Sequence, residues 1–304
     1  MDKILITGSS GTIGTRLFER LLSEGYDIIG FDKKKNKWHK HLQGLTILGD
    51  LLSKKDIGKI PKDIDLIVHL AANARVYDLI IKPDLALENA VSTYNILEFS
   101  RKNKIEKIIF ASSREVYGNR YKAVARESEV DLNLAESPYA ASKISNEAFI
   151  YSYSKCYGMQ FAVLRFSNVY GMYDESDRFI PKMIKKMRKN EDVQIFGKDK
   201  VLDFTYIEDC VSGIISCIKK FQKAKNSVFN IASGKGEKLT DVARIIKQEM
   251  KSKSKIRIMS ERKGEVVKFI ADITLSKKVL NYAPKTPFSY GIKSAIKWYN
   301  NRIF

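Results

Sequence analysis

Tyr139 and Lys143 stand four residues apart behind Ser137 and Pro138, a pair suited to the N-cap and first position of a helix. That spacing puts both side chains on one face at the helix start, where they reach a common site. The chemistry on offer is removal of a hydroxyl proton. A phenol titrates near ~10, so it acts as a base near neutrality only when a cation stabilises the phenolate. Lys143 is positioned to be that cation. Ser113 follows a strand-like run, and its hydroxyl can bridge Tyr139 and a substrate hydroxyl. Tyr151 and Lys155 repeat the spacing, but no comparable cap precedes them, and in a lysine-rich chain the string arises without function.

A second set of residues points to what removes the accompanying hydrogen. Thr7-Gly8-Ser9-Ser10-Gly11-Thr12-Ile13-Gly14 lies between a strand-like run and a helix-like run. Glycines there permit a tight turn and close backbone approach to a pyrophosphate, whose charge sits on the N–H groups of the helix N-terminus. Asp32 ends the next strand-like run, where a carboxylate accepts hydrogen bonds from both ribose hydroxyls of an adenosine and repels a 2′-phosphate. Lys33, Lys34 and Lys35 follow it and would suit that phosphate. The acid at the strand end favours NAD as cofactor, with its oxidised nicotinamide a second cation near Tyr139.

These residues need a scaffold that gathers strand ends. Strands are expected at 3–7, 27–32, 45–49, 65–70, 107–112 and 160–166, with helices at 12–24, 84–103 and 138–157 between them. The alternation predicts an α/β fold, a Rossmann-type doubly wound parallel sheet. After Asn168 the elements shorten around Pro181, Gly197, Gly234, Pro284 and Pro287, predicting a smaller α/β substrate-binding domain. The expected division is 1–170 with about 201–223 for the cofactor domain, and 171–200 with 224–304 for the substrate domain.

The 304 residues, 44% apolar and 29% charged, contain no run approaching a membrane span. Met1 leads directly into the first strand-like run without a leader pattern, so a cytoplasmic protein is expected. Cys156, Cys210 and Cys217 are odd in number and lack metal-ligand spacing, so a reduced chain without metal is expected. The net charge of +19 is spread along helix-like segments rather than gathered in one arm, which weighs against nucleic acid as a partner.

The glycine spacing, with two residues between the first pair, resembles the extended short-chain dehydrogenase/reductases of the NAD-dependent epimerase/dehydratase family. Ordered matches continue along nearly the whole chain: Phe110-Ala-Ser-Ser113-Arg-Glu-Val-Tyr-Gly118, Ser137-Pro-Tyr139-Ala-Ala-Ser-Lys143, Leu164-Arg-Phe-Ser-Asn168-Val-Tyr-Gly171 and Asp203-Phe-Thr-Tyr-Ile-Glu-Asp209. The resemblance implies that Asp50 and Leu51 meet the adenine and that Leu70, Ala71 and Ala72 run along the cofactor. Asn89, in a helix motif where Ser92 replaces the usual Gly, Lys33 and Ser112 complete the implied cofactor contacts. Asn168 and Arg262, the latter in Arg262-Lys-Gly-Glu265, are implied to hold a nucleotide diphosphate. A second family Arg is replaced by Leu202, with Lys198 or Lys200 as substitutes.

The implied reaction is oxidation of a nucleotide-sugar hydroxyl by Ser113, Tyr139 and Lys143 with NAD, then return of hydride to the other face. That is a UDP-sugar 4-epimerase acting through a transient 4-keto sugar, in a homodimer built on helices 84–103 and 138–157. Arg114 stands where family 4,6-dehydratases have an Asp, and arginine cannot donate that proton. Glu115 resembles the Glu of family decarboxylases and dehydratases, so those reactions stay as the alternative. A non-catalytic NAD- or RNA-binding Rossmann protein is the alternative of another class, and retention of Ser113, Tyr139 and Lys143 argues against it.

Overall fold

The computed structural model describes residues 2–120, 124–262 and 266–302. Its larger sheet has seven strands in the spatial order Ser227–Ile231, Gln160–Phe166, Lys107–Ser113, Leu66–His69, Lys3–Thr7, Asp27–Asp32 and Thr46–Leu48. All six pairings are parallel. Chain order runs from Lys3–Thr7 to one edge, then restarts at Leu66–His69 and runs to the other. This reversal opens a crevice at the carboxyl ends of the two central strands, where such sheets take ligands.

Both faces of the sheet are covered, as continuous apolar strands require. Ile4 and Ile6 share a core with Leu17, Phe18 and Leu21 of the helix Thr12–Ser23. Leu5 and Ile67 point the other way, into a core with Ile96 and Leu97 of the helix Asp84–Lys102. Among the described residues no helix is long and apolar enough to cross a membrane.

A second sheet runs Gly236–Lys238, Val201–Tyr206, Lys268–Ala271 and Val124–Ala125, with Asn168–Tyr170 also pairing with Val201–Tyr206. Met183, Leu202, Phe204 and Phe269 continue the Ile4 core, so the two units share packed interior. Both sheets draw strands from across the expected division of the chain. Val124–Ala125, Asn168–Tyr170 and Val201–Tyr206, assigned to the cofactor domain, pair in the second sheet, whereas Ser227–Ile231, assigned to the substrate domain, pairs with Gln160–Phe166 in the first. Nothing local distinguishes these short strands; their place is set by partners far away in sequence.

Candidate active site

The helix Pro138–Tyr157 begins as its sequence dictates. Ser137 Oγ accepts the Ala140 N–H at 3.2 Å, Pro138 occupies the first turn, and Gly158 ends the helix at φ +72°. Tyr139 and Lys143 are both buried on its inward face. Ser113 lies close enough to Tyr139 to favour its phenolate, and Ser113 Oγ accepts the Glu115 N–H at 3.2 Å. Tyr151 is exposed, its ring against Phe161, and lies outside the cavity.

Charge placement differs from the expectation for Lys143. Its ammonium donates to the Ala111 carbonyl at 2.7 Å, and burial pushes its pKa down to about 8, with Glu147 opposing. Burial also raises the Tyr139 phenol above its ordinary value, and Arg178 leads the opposing influences, ahead of Ser113. Arg178 was passed over in the sequence; its only signal is its place immediately before the amphipathic helix Phe179–Arg188. Ser112, expected on the cofactor, lines the cavity but donates its hydroxyl to Glu147 at 2.5 Å. Arg165 holds the same carboxylate through Nε and Nη2.

At the far end of the cavity the glycine turn is sterically obligatory. Gly8 sits at φ +72°, where an added Cβ would lie 2.7 Å from the Ala71 nitrogen, and a Cβ on Gly14 would strike the Gly8 carbonyl oxygen. Gly11 caps the helix Thr12–Ser23 without a side-chain bond to its first turn. Asp32 accepts the Ser10 N–H at 2.9 Å and the Lys34 N–H at 2.8 Å, and burial raises its pKa against those bonds. Ser10 Oγ is buried on this wall without a partner among the described residues. A backbone cradle closed to any Cβ, an unpartnered hydroxyl and a strand-end carboxylate suit the pyrophosphate and ribose of a dinucleotide.

The other expected cofactor contacts divide by what their polar atoms already do. Asp50 accepts the Leu52 N–H, and the Leu51 carbonyl accepts from Asn95, so the loop they share is pinned. Asn89 is buried, bonding Asn73 through both amide atoms and reaching Ser142, which ties the Asn73 loop to the helix Pro138–Tyr157. His69 lies between Thr7 and Thr93, and burial pushes its pKa down to about 3, so it is neutral.

One cavity of about 840 Å³ brings together Gly8, Gly11, Thr12, Ile13, Gly14, Asp32, Lys33, Asp50, Leu51, Leu70, Ala71, Ala72 and Asn89 at one end, and Ser112, Ser113, Glu115, Tyr139, Lys143, Asn168, Lys200 and Arg262 at the other. On the second side Asn168 donates to the Asp203 carbonyl at 2.9 Å. Arg262 lays its guanidinium 3.7 Å from the Phe196 ring centroid and 5.2 Å from that of Tyr77. Leu202 is buried on the wall, and Lys200 rather than Lys198 joins it there. Lys263 to Glu265 lie outside the described residues.

The family model for the NAD dependent epimerase/dehydratase family matches residues 4–232. A putative UDP-glucose 4-epimerase of Methanocaldococcus jannaschii is 32% identical, over 98% of this chain and 98% of its own. The structure of the Thermotoga maritima UDP-glucose 4-epimerase with UDP-glucose superposes with a TM-score of 0.90 at 27% identity, covering 98% of this chain and 99% of that one. A Bacillus cereus UDP-glucuronic acid 4-epimerase in complex with UDP-glucuronic acid and NAD gives 0.90 at 26%, with the same coverage. This chain belongs to the NAD dependent epimerase/dehydratase family.

Proposed function

We propose that the protein is a UDP-sugar 4-epimerase. The observation that carries this reading is the convergence of Ser113, Tyr139 and Lys143 on the same cavity as the Gly8–Gly14 turn and Asp32. Relatives named as UDP-glucose 4-epimerases cover nearly the whole chain and support it.

Gly8, Gly11, Gly14, Asp32 and Ser10 would hold NAD, which when bound supplies a hydride acceptor and donor for one sugar carbon. Tyr139 takes the proton from the hydroxyl on that carbon and returns it to the product, the direction set by which face of the keto-sugar is presented. Ser113 fixes the substrate hydroxyl against the Tyr139 oxygen, and its own orientation is held by the Glu115 N–H. Arg178 favours the Tyr139 phenolate directly, and Lys143, its Nζ 5.8 Å from the Tyr139 ring centroid, would add positive charge nearby. Asn168, Lys200 and Arg262 would anchor the diphosphate, so orientation and water exclusion are the main contributions of the protein.

The exposed apolar residues Leu87, Val91, Tyr94 and Phe149 lie on the packed helices Asp84–Lys102 and Pro138–Tyr157, and support a homodimer through that face. Three free cysteines support a reducing, cytoplasmic setting. A panel of UDP-sugars with product NMR tests the reading. C4 isomers are expected; carbon dioxide release or loss of water from the sugar would replace it with the decarboxylase or dehydratase reaction.

A further inference from the structure

Two buried atoms on the substrate wall are left without partners by an otherwise complete arrangement. Arg114 and Glu115 are 8% and 5% exposed and form an ion pair of 2.7 Å between Nη2 and Oε1. The second atom of each group, Arg114 Nη1 and Glu115 Oε2, is buried with no hydrogen-bond partner among the described residues. Both residues line the cavity directly after Ser113. Buried polar atoms in folded proteins are almost always satisfied, so such a pair on a cavity wall points to something that arrives from the cavity.

We propose that Arg114 Nη1 and Glu115 Oε2 form a subsite for a sugar hydroxyl other than the one oxidised, which makes the site selective for a neutral glycosyl unit over a uronosyl one. The proposal rests on the UDP-sugar reading above. The pair offers one donor and one acceptor. A hydroxyl both accepts and donates, so it matches both atoms, whereas a carboxylate only accepts and would face the Glu115 oxygen as a like charge. Within the pair the charges cancel, so it has little long-range pull on an anion.

Geometry makes the subsite rigid and places it beside the reacting carbon. The turn Arg114–Tyr117 is capped by Ser113, which also favours the Tyr139 phenolate, so the next two side chains would meet a neighbouring substituent of the same sugar. The guanidinium of Arg114 rests 5.7 Å from the Phe269 ring centroid, which limits its swing. Arg178 is the competing influence, since a cation near Tyr139 attracts a carboxylate. Its side chain is 40% exposed and 4.0 Å from Asp174, so water and that carboxylate weaken the attraction.

The test is binding to the NAD-loaded Tyr139→Phe protein, whose turnover is expected to be slowed by about 10²–10⁴-fold, measured before substrate converts, using UDP, UDP-glucose and UDP-glucuronate. UDP-glucose is expected to bind at least about tenfold tighter than UDP-glucuronate, the size of one hydrogen bond to a charged group. Glu115→Gln in that background offers an amide that can donate to a carboxylate, and the ratio is expected to fall toward unity with NAD binding retained. Equal or tighter binding of UDP-glucuronate overturns the proposal, as does an unchanged ratio in a Glu115→Gln protein that still binds NAD. Should that variant fail to fold, the ratio in the parent protein decides alone. UDP binding without sugar preference overturns only the subsite; no UDP binding overturns the nucleotide-sugar reading as well.

Discussion

At the cofactor end of the cavity, Gly8, Asp32, Asp50 and Ala71 sit at or just beyond the carboxyl ends of four adjacent parallel strands. At the substrate end, Asn168, Arg178, Lys200 and Arg262 come from separate segments, three of them outside any strand. The first end is set by local turns whose conformation only certain residues permit, such as the positive φ of Gly8. The second depends on side chains reaching across a shared core, as Arg262 does over Phe196. The proposed chemistry sits at the junction, where Ser113 from a strand end meets Tyr139 from a capped helix.

Removing the hydroxyl at that junction is expected to have the largest effect. Tyr139→Phe should lower turnover by about 10²–10⁴-fold, the range for a general acid–base group, while NAD still binds in a fluorescence or calorimetric titration. Tyr151→Phe should stay near the parent rate. Similar rates for the two variants would detach the chemistry from the capped helix.

The cofactor end should answer next. Asp32→Asn weakens the acceptor for the ribose hydroxyls, and NAD affinity should drop by about ten- to a hundredfold, as for bonds to a charged group. Discrimination against NADP should narrow in the same titration. Unchanged NAD affinity would show that Ser10, Lys33 and the glycine turn suffice.

This end was also the more legible in sequence. Expected strands at 3–7, 27–32 and 160–166 match the observed limits, because an apolar run bounded by turn residues is a local signal. The Ser137-Pro138 start of the helix Pro138–Tyr157 was readable for the same reason. Ser10 and Arg178 were not singled out, and Arg114 only as a bar to dehydratase chemistry, since their significance lies in what faces them: a cavity wall, the Tyr139 phenol, and an ion pair with one unused edge. Likewise Ser227–Ile231 is recognisable as a strand only from its pairing with Gln160–Phe166.

Lys143 yields a pH prediction. Its pKa is pushed down from 10.5 to about 8, so the ammonium is present below that value and lost as pH rises through it. Turnover should therefore decline above pH 8, by at most about tenfold per pH unit for a single proton. Between about 8 and 10.5 the unfolded chain holds more of this proton than the fold does, so the contribution of Lys143 to stability rises with pH. A decline of activity with an unchanged melting temperature would separate titration from unfolding; a flat profile to pH 9.5 would remove the requirement for the ammonium.

The smallest effect is expected at the substrate end. Arg262 is partly exposed and stacked on Phe196, so Arg262→Ala should raise KM by about two- to fivefold, the scale of a solvent-screened charge contact, with kcat nearly unchanged. A drop in kcat as large as that of Tyr139→Phe would mean that this end participates in chemistry rather than anchoring.

The central claim is that one sugar carbon is oxidised and reduced again within a single cavity, with Tyr139 moving the proton. UDP-galactose carrying deuterium at C4, incubated with the NAD-loaded protein and followed by NMR, tests it most directly. UDP-glucose with deuterium retained at C4 and no accumulating NADH is the predicted result. Loss of the label to solvent, build-up of a keto-sugar with NADH, or failure to form the C4 isomer would contradict the account.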